Sequence, residues 1–312
     1  MLARLMSRTR LVRTSLEGYP RSGWEENSMD ALGNRIVVVA FDGWNDAGEA
    51  ASGAIEMLRE STEYELVHTV DPELYFDYQY TRPSTKMDAT GRRDLRWPEA
   101  ALWRPAAPSA DGTPEFWLLT GVEPARTWQA FANEFIDVAL RDDVTGFITL
   151  GAMLSDVPHT RPISIFASSA NEQVRESLGL ERSLYEGPVG ILSVIEHFAE
   201  RAGIPTANLW ASVPHYVAST APSPKATLAL LDRLEELTGI DMPRERLRTD
   251  AATWEASIDA AAADDEEMTE YIHQLERTRD TWDSPEASGD AIAQAFERYL
   301  RRRGDGPGDH KR

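Results

Sequence analysis

Seven consecutive residues, Arg35-Ile36-Val37-Val38-Val39-Ala40-Phe41, restrict the fold of this chain more than any other stretch. A continuous β-branched run has no polar side to offer to water. It therefore reads as a strand buried on both faces, the kind found inside parallel sheets covered by helices. A polar turn, Asp42-Gly43-Trp44-Asn45, follows at once. Asp46, with Glu49 three places on, has the form of a capping box that opens a helix. Ala50, Ala54, Ile55 and Leu58 would let that helix pack closely on a sheet. Residues 63–70 read as a second strand, completing a strand–helix–strand unit with the usual right-handed crossover.

Residues 71–114 break this rhythm. Asp71-Pro72, Arg82-Pro83, Trp97-Pro98 and Arg104-Pro105 punctuate a segment holding Tyr75, Phe76, Tyr78 and Tyr80. The alternation from Leu74 to Tyr80 suits a strand, and residues 88–93 suit a loop. An aromatic insertion of this length reads as a lid, a hairpin arm or an oligomer contact. Strands are then expected at 115–120, 144–151, 163–167 and 207–212, with helices at 124–140, 171–178, 188–202 and 224–238. Six strands alternating with helices predict a three-layer α/β/α core over residues 29–240, with 71–114 inserted.

After residue 240 the strands stop. Helices are expected at 243–263, 266–282 and 285–303, forming a helical appendage over 241–303. Residues 251–300 hold thirteen acids and three Arg, a net of −10. A solvated helix face is the ordinary meaning of such a run, and a dock for a basic partner the sharper one. Residues 1–28 carry five Arg against three acids. They read as a disordered tail, or as a mis-assigned start ahead of Met29. Residues 304–312 read as a flexible tail.

Charge and composition exclude several function classes. The 312 residues have a formal charge of −20 and a pI near 4.7. Such a surface repels nucleic acid and anionic membrane, so neither is expected as a partner. The longest apolar run is too short to cross a bilayer. Cysteine is absent, which removes disulfides, thiol nucleophiles and Cys-based metal sites and fits a cytoplasmic protein. Six scattered His without an H-E-x-x-H pattern predict no metal. Neither G-x-G-x-x-G nor a Walker sequence occurs, so no nucleotide cofactor is expected by the usual routes. G-x-S-x-G is also missing, which disfavours an ordinary serine hydrolase.

In open α/β sheets, ligands bind beyond the carboxyl ends of the strands. Four such ends here are polar or glycine-bearing: residues 42–46, 121–124, 151–161 and 214–216. The ligand-pocket candidates they carry, with a loop residue ahead of the 188–202 helix, are Asp42, Trp44, Asn45, Glu123, His159, Arg161, Glu186 and His215. Asp42 and Glu123 could bind a cation, an amine or sugar hydroxyls, or act as acid and base. They could equally cap backbone turns. His159 and His215 are candidates for proton transfer and Arg161 for holding an anion. Glu186 is a lip of the pocket or an entry turn.

One further reading rests on motifs. Val39-Ala40-Phe41-Asp42-Gly43-Trp44-Asn45-Asp46-Ala47-Gly48-Glu49-Ala50-Ala51 resembles the opening motif of the proteasome assembly chaperone family. The resemblance is to the bacterial branch named after the second eukaryotic chaperone, and particularly to its actinobacterial members. Residues 151–162 (Gly-Ala-Met-Leu-Ser-Asp-Val-Pro-His-Thr-Arg-Pro), 185–191 (Tyr-Glu-Gly-Pro-Val-Gly-Ile) and 210–216 (Trp-Ala-Ser-Val-Pro-His-Tyr) agree, in the same order. The resemblance implies a three-layer fold like that of nucleoside phosphorylases and related hydrolases, with C-terminal helices over the strand ends. It implies a homo-oligomer, a trimer, with 71–114 as its arm, and supplies no catalytic residues. Two functions follow: a cytoplasmic protein-binding or assembly factor, or a small-molecule enzyme or sensor using the pocket.

Overall fold

The computed structural model describes residues 31–107, 114–218, 222–242 and 244–282. The tails expected at 1–28 and 304–312 and the helix expected at 285–303 lie outside the described residues. The apolar run forms β1 (Arg35–Asp42), with Ile36 to Phe41 all buried. The Ile, Val and Phe side chains among them each contribute about 1.5–3 kcal/mol when fully withdrawn from water. β1 pairs in parallel with β6 (Glu115–Val122) and with β7 (Gly146–Ser155). β7 in turn pairs in parallel with β9 (Thr206–Pro214). The flanks are antiparallel: β8 (Ile165–Ser168) on β9, β5 (Ala100–Pro105) on β6, and β2 (Tyr64–Thr69) on β5. The seven strands run in the order β2-β5-β6-β1-β7-β9-β8.

Helices cover both faces, because successive β1 side chains point to opposite sides. Ile36, Val38 and Ala40 join one core with α1 (Ala50–Ser61) and α6 (Pro224–Thr238). Val37, Val39 and Phe41 join a second with α3 (Trp128–Arg141) and α5 (Ile191–Arg201). This is the expected three-layer α/β/α arrangement. α4 (Glu172–Leu178) adds Val174 and Leu178 to the first core. α7 (Glu245–Ala263) packs on α6, and α8 (Glu266–Trp282) packs on α7. Among the described residues no helix is long and apolar enough to cross a membrane.

Three local expectations are corrected. The Leu74–Tyr80 stretch is not a strand. Asp71 accepts a hydrogen bond from the Glu73 amide at 3.0 Å, and Pro72 takes the first helical position, so a short helix α2 (Pro72–Tyr75) forms. Its end buries Tyr75 and Phe76 together, which a strand cannot do on one face. The Asp46–Glu49 capping box does not form. A 3₁₀ turn at Ala47–Glu49 intervenes, and Asp46 Oδ1 instead accepts from the amides of Ala51 and Ser52 at 2.7 and 3.3 Å. The 71–114 segment is only partly an arm. β3 (Ser84–Met87) and β4 (Arg93–Arg96) make an exposed hairpin, but β5 belongs to the main sheet. The strand–helix–strand unit also skips two places, since β2 lies at the sheet edge beyond β5 and β6.

The base of the arm is tightly seated. Gly121 at the end of β6 has φ +149°, and a Cβ there would stand 2.1 Å from the Glu99 carbonyl oxygen. Gly121→Ala is expected to cost about 3 kcal/mol through backbone strain and overpacking together. Urea unfolding of the two proteins checks this. A loss below 1 kcal/mol would mean that residues 97–100 can move away from β6, by the same principle of local relaxation.

Candidate functional site

The parallel centre of the sheet puts the carboxyl ends of β6, β1, β7 and β9 on one rim. From there the sequence-derived candidates divide into two groups. Asp42, Asn45 and Glu123 meet at the ends of β1 and β6. His159, Arg161 and His215 meet beneath α7 and α8. Trp44 is exposed on the turn after β1, and Glu186 is exposed in the loop ahead of α5.

In the first group Asn45 is the fastener. It is 1% exposed, and its carbonyl accepts from the Ala152 amide at 2.7 Å, tying the turn to β7. Its Nδ2 donates to Glu123 Oε1 at 3.0 Å. The same carboxylate oxygen accepts from the Ile191 amide at 3.0 Å, at the first turn of α5. A carboxylate there satisfies an otherwise orphaned donor and faces the positive end of the helix. Gly190 is required beside it, because a Cβ would stand 2.2 Å from Asn45 Oδ1. Glu123 is thus a capping group on the α5 side of the sheet. The Asp42 carboxyl opens instead on the α1 side, so the two do not form a catalytic pair.

Asp42 lines an open cleft of ≈ 500 Å³ between the strand ends and α1. Asp46, Glu49 and Glu56 share it, with Ser52, Arg59 and Thr120. Burial, then the like charges of Asp46, Glu49 and Glu56, push the Asp42 carboxyl above its ordinary value. Burial raises Asp46 as well, against the hydrogen bonds from Ser52 and Ala51. Glu49 adds backbone strain, with φ at 51° in the left-handed region. Such a residue costs of order 1–3 kcal/mol and tends to accompany functional sites. The arrangement can accept hydrogen bonds from amines or hydroxyls, and a proton can be held at Asp42 at higher pH than on a free carboxylate. The sequence reading passed over the lining from α1, although its signal is present: Glu49, Ser52, Glu56 and Arg59 are spaced by three, four and three, as on one helix face.

The second group is a clamp. His159 is fully buried. Its Nε2 lies 3.0 Å from Asp259 Oδ1 on α7, and its Nδ1 lies 2.8 Å from Tyr216 Oη. A carboxylate only accepts, so Nε2 donates to Asp259, and the Tyr216 hydroxyl also accepts from the His159 amide at 2.7 Å. Lys225 Nζ donates to the His159 carbonyl and also pairs with Glu255 on α7. Arg161 makes a two-pronged pair with Asp280 on α8, at 2.7 and 2.9 Å, and reaches Glu276 at 3.2 Å. His215 lies 3.4 Å from both Asp156 Oδ1 and Tyr271 Oη. These three residues therefore hold the α7–α8 pair over the ends of β7 and β9. Arg161 already has its anions and His159 has no open face. Their partners lie 100 or more positions away in sequence for Asp259 and Asp280. No local pattern announces such contacts. Among the described residues no group of three or more His, Asp or Glu is placed to hold a metal ion.

Residues 40–262 match the PAC2 family. A PAC2 family protein from Streptomyces avermitilis is 38% identical, with a TM-score of 0.70 over 76% of this chain and 99% of that one. The proteasome-assembly chaperone homologue of Mycobacterium tuberculosis is also 38% identical, with a TM-score of 0.68 over 76% of this chain and 99% of that one. A second Mycobacterium tuberculosis protein, of unknown function, is 28% identical with a TM-score of 0.72, covering 90% of this chain and 94% of its own. No curated protein matches the chain.

Two measurements follow from the site. Asp42 has a raised carboxyl, so its ionised form is less stable in the fold than in the unfolded chain, and this cost appears as pH rises above the ordinary Asp value of 3.8. Asp42→Asn should therefore raise Tm at pH 7, with the gain disappearing near pH 3; a lower Tm at pH 7 would sink this account. Asp280 behaves oppositely. The Arg161 hydrogen bond holds it below 3.8, so its contribution is complete above that pH and is lost as acid protonates it. Protection of the α8 amides, taken relative to the slower chemical exchange of acid solution, should fall below about pH 4 in the parent. In Asp280→Asn that protection should already be low at pH 7.

Proposed function

Because the chain belongs to the PAC2 family, we propose that it is a protein-binding assembly factor that works as a homo-oligomer. The observation carrying this reading is the 38% identity, along 99% of its length, to a protein described as a proteasome-assembly chaperone homologue. Two surfaces suit protein partners. Tyr80, Met87, Leu95 and Trp97 are large and exposed on or beside the hairpin arm, with Tyr80 at 85% and Met87 at 68%. Exposed apolar side chains gathered in one region mark protein contacts more often than chance exposure does. The acidic α7–α8 pair offers a second surface, suited to a basic partner. We read the assembly as a cytoplasmic trimer, with the arm reaching to a neighbour.

The raised Asp42 carboxyl favours a second reading. In it the acidic cleft serves a ligand sensor or a hydrolase- or phosphorylase-like enzyme, with polar recognition at Asp42. Perturbed carboxylates in clefts are a recurrent mark of such sites.

Native mass spectrometry of the untagged protein, taken gently from its own host, separates the readings. An ion of three copies carrying a second polypeptide is the result expected. Protein that is recovered without any second polypeptide would overturn the assembly reading. Met87→Asp with Leu95→Asp should abolish the trimer or the partner while leaving Tm within about 2 °C, since exposed positions contribute little to folding.

A further inference from the structure

Beside the Asp42 cleft lies a second one of ≈ 380 Å³ with different chemistry. Arg59 of α1 lines it, with Arg82 and Arg96 from the two legs of the arm. Trp97 and Trp103 supply flat apolar wall, and Asp42 and Glu99 supply carboxylates. Arg59 lies over Trp103, with its guanidinium carbon 3.9 Å from the ring centroid, a stacking that steadies both side chains. Arg96 has Asp94 at 3.1 Å. Among the described residues neither Arg59 nor Arg82 forms an ion pair. The chain has 52 acids against 32 Lys and Arg, and Asp42 and Glu99 share the cleft, yet neither carboxylate closes to ion-pair distance on these two cations.

The walls are fixed before any ligand arrives. Val122 donates its amide to the Glu99 carbonyl at 2.9 Å, and Gly121 allows the same carbonyl to close on β6. Trp97 is held against Tyr78, with ring centroids 4.9 Å apart. Preformed pockets of roughly 300–1,000 Å³ are of small-molecule size.

We propose that this cleft binds a ring-bearing phosphate monoester of mononucleotide size. Guanidinium groups match phosphate oxygens in pairs, so Arg82, with Arg59 and Arg96, takes the phosphate. Trp103 and Trp97 take the flat ring. Asp42 accepts from sugar hydroxyls at the junction with the acidic cleft. The charge count sets an upper limit on the ligand. Three Arg are opposed by Asp42 and Glu99, and by the further carboxylates of the neighbouring cleft. The guanidinium forks can surround the oxygens of one phosphate, while the further charges of a triphosphate meet these carboxylates.

Isothermal titration of the full chain with adenosine 5′-monophosphate and uridine 5′-monophosphate tests this, with adenosine, inorganic phosphate and adenosine 5′-triphosphate as controls. At least one monophosphate should bind about tenfold or more tighter than its parts and than the triphosphate, because ring and phosphate act together. Arg82→Gln should weaken it about tenfold without lowering Tm, since Arg82 is an exposed residue whose lost contact is charge-assisted. Trp103→Leu should erase the advantage over inorganic phosphate. Absence of binding by both monophosphates at millimolar concentration overturns the proposal. So does binding that Arg82→Gln leaves unchanged, or equal binding of inorganic phosphate alone. Each outcome is independent of whether a partner polypeptide is found.

Discussion

The structure depends on placing a strand with no polar face at the centre of a parallel sheet. β1 can be buried on both sides only if helices cover both sides, and α1 with α6 and α3 with α5 do so. Parallel pairing with β6 and β7 then forces the next residue of each chain segment to leave at the same rim. Side chains that need water or charge partners are gathered there because they cannot be anywhere else. The transition is abrupt: Phe41 is 1% exposed and the next residue carries a charge. The same low-dielectric wall that stabilises β1 raises the Asp42 carboxyl.

The rim is managed in two ways. On the β7–β9 side polar groups are consumed by structure. His159, Arg161 and Lys225 each find carboxylates on α7 or α8, and their chemistry becomes attachment. Pairs with at least one partner open to water contribute modestly one by one, but several sharing two helices fix an orientation. On the β1–β6 side Glu123 is likewise consumed by the start of α5, while Asp42, Arg59 and Arg82 are left facing space. Candidate function therefore sits on the α1 side, away from both histidines that drew notice in the sequence.

Much of the fold was legible, and what failed did so for identifiable reasons. The β1 run, the polar strand ends and the helix stripes encode burial directly, so they located the layers and the rim. Leu74 to Tyr80 alternates like a strand, yet Asp71 and Pro72 impose a helix start locally, and tertiary burial of Tyr75 and Phe76 agrees with them. β5 went unseen because its apolar stretch is short and hemmed by proline. The site was half legible. Residue types at strand ends reveal that polar groups gather at the rim, but whether a histidine is open or clamped depends on residues a hundred positions away. The Arg59 stripe was present in the helix spacing of α1; the contribution of Arg82 was not, since nothing local says the arm folds back beside β6.

β2 and β5 are neighbours in the sheet and antiparallel, and the whole arm runs between them. Topologically it is the loop of one hairpin. Closing a loop twice as long costs only about 0.6 kcal/mol more, so its length is nearly neutral for folding. The hairpin at 84–96 is exposed and stands apart from the core that holds Tyr75 and Phe76, so it can change freely, even though it lines the basic cleft and bears exposed apolar side chains. The ligand and partner preferences proposed for this chain would thus change together, in one stretch of gene, without renegotiating the sheet.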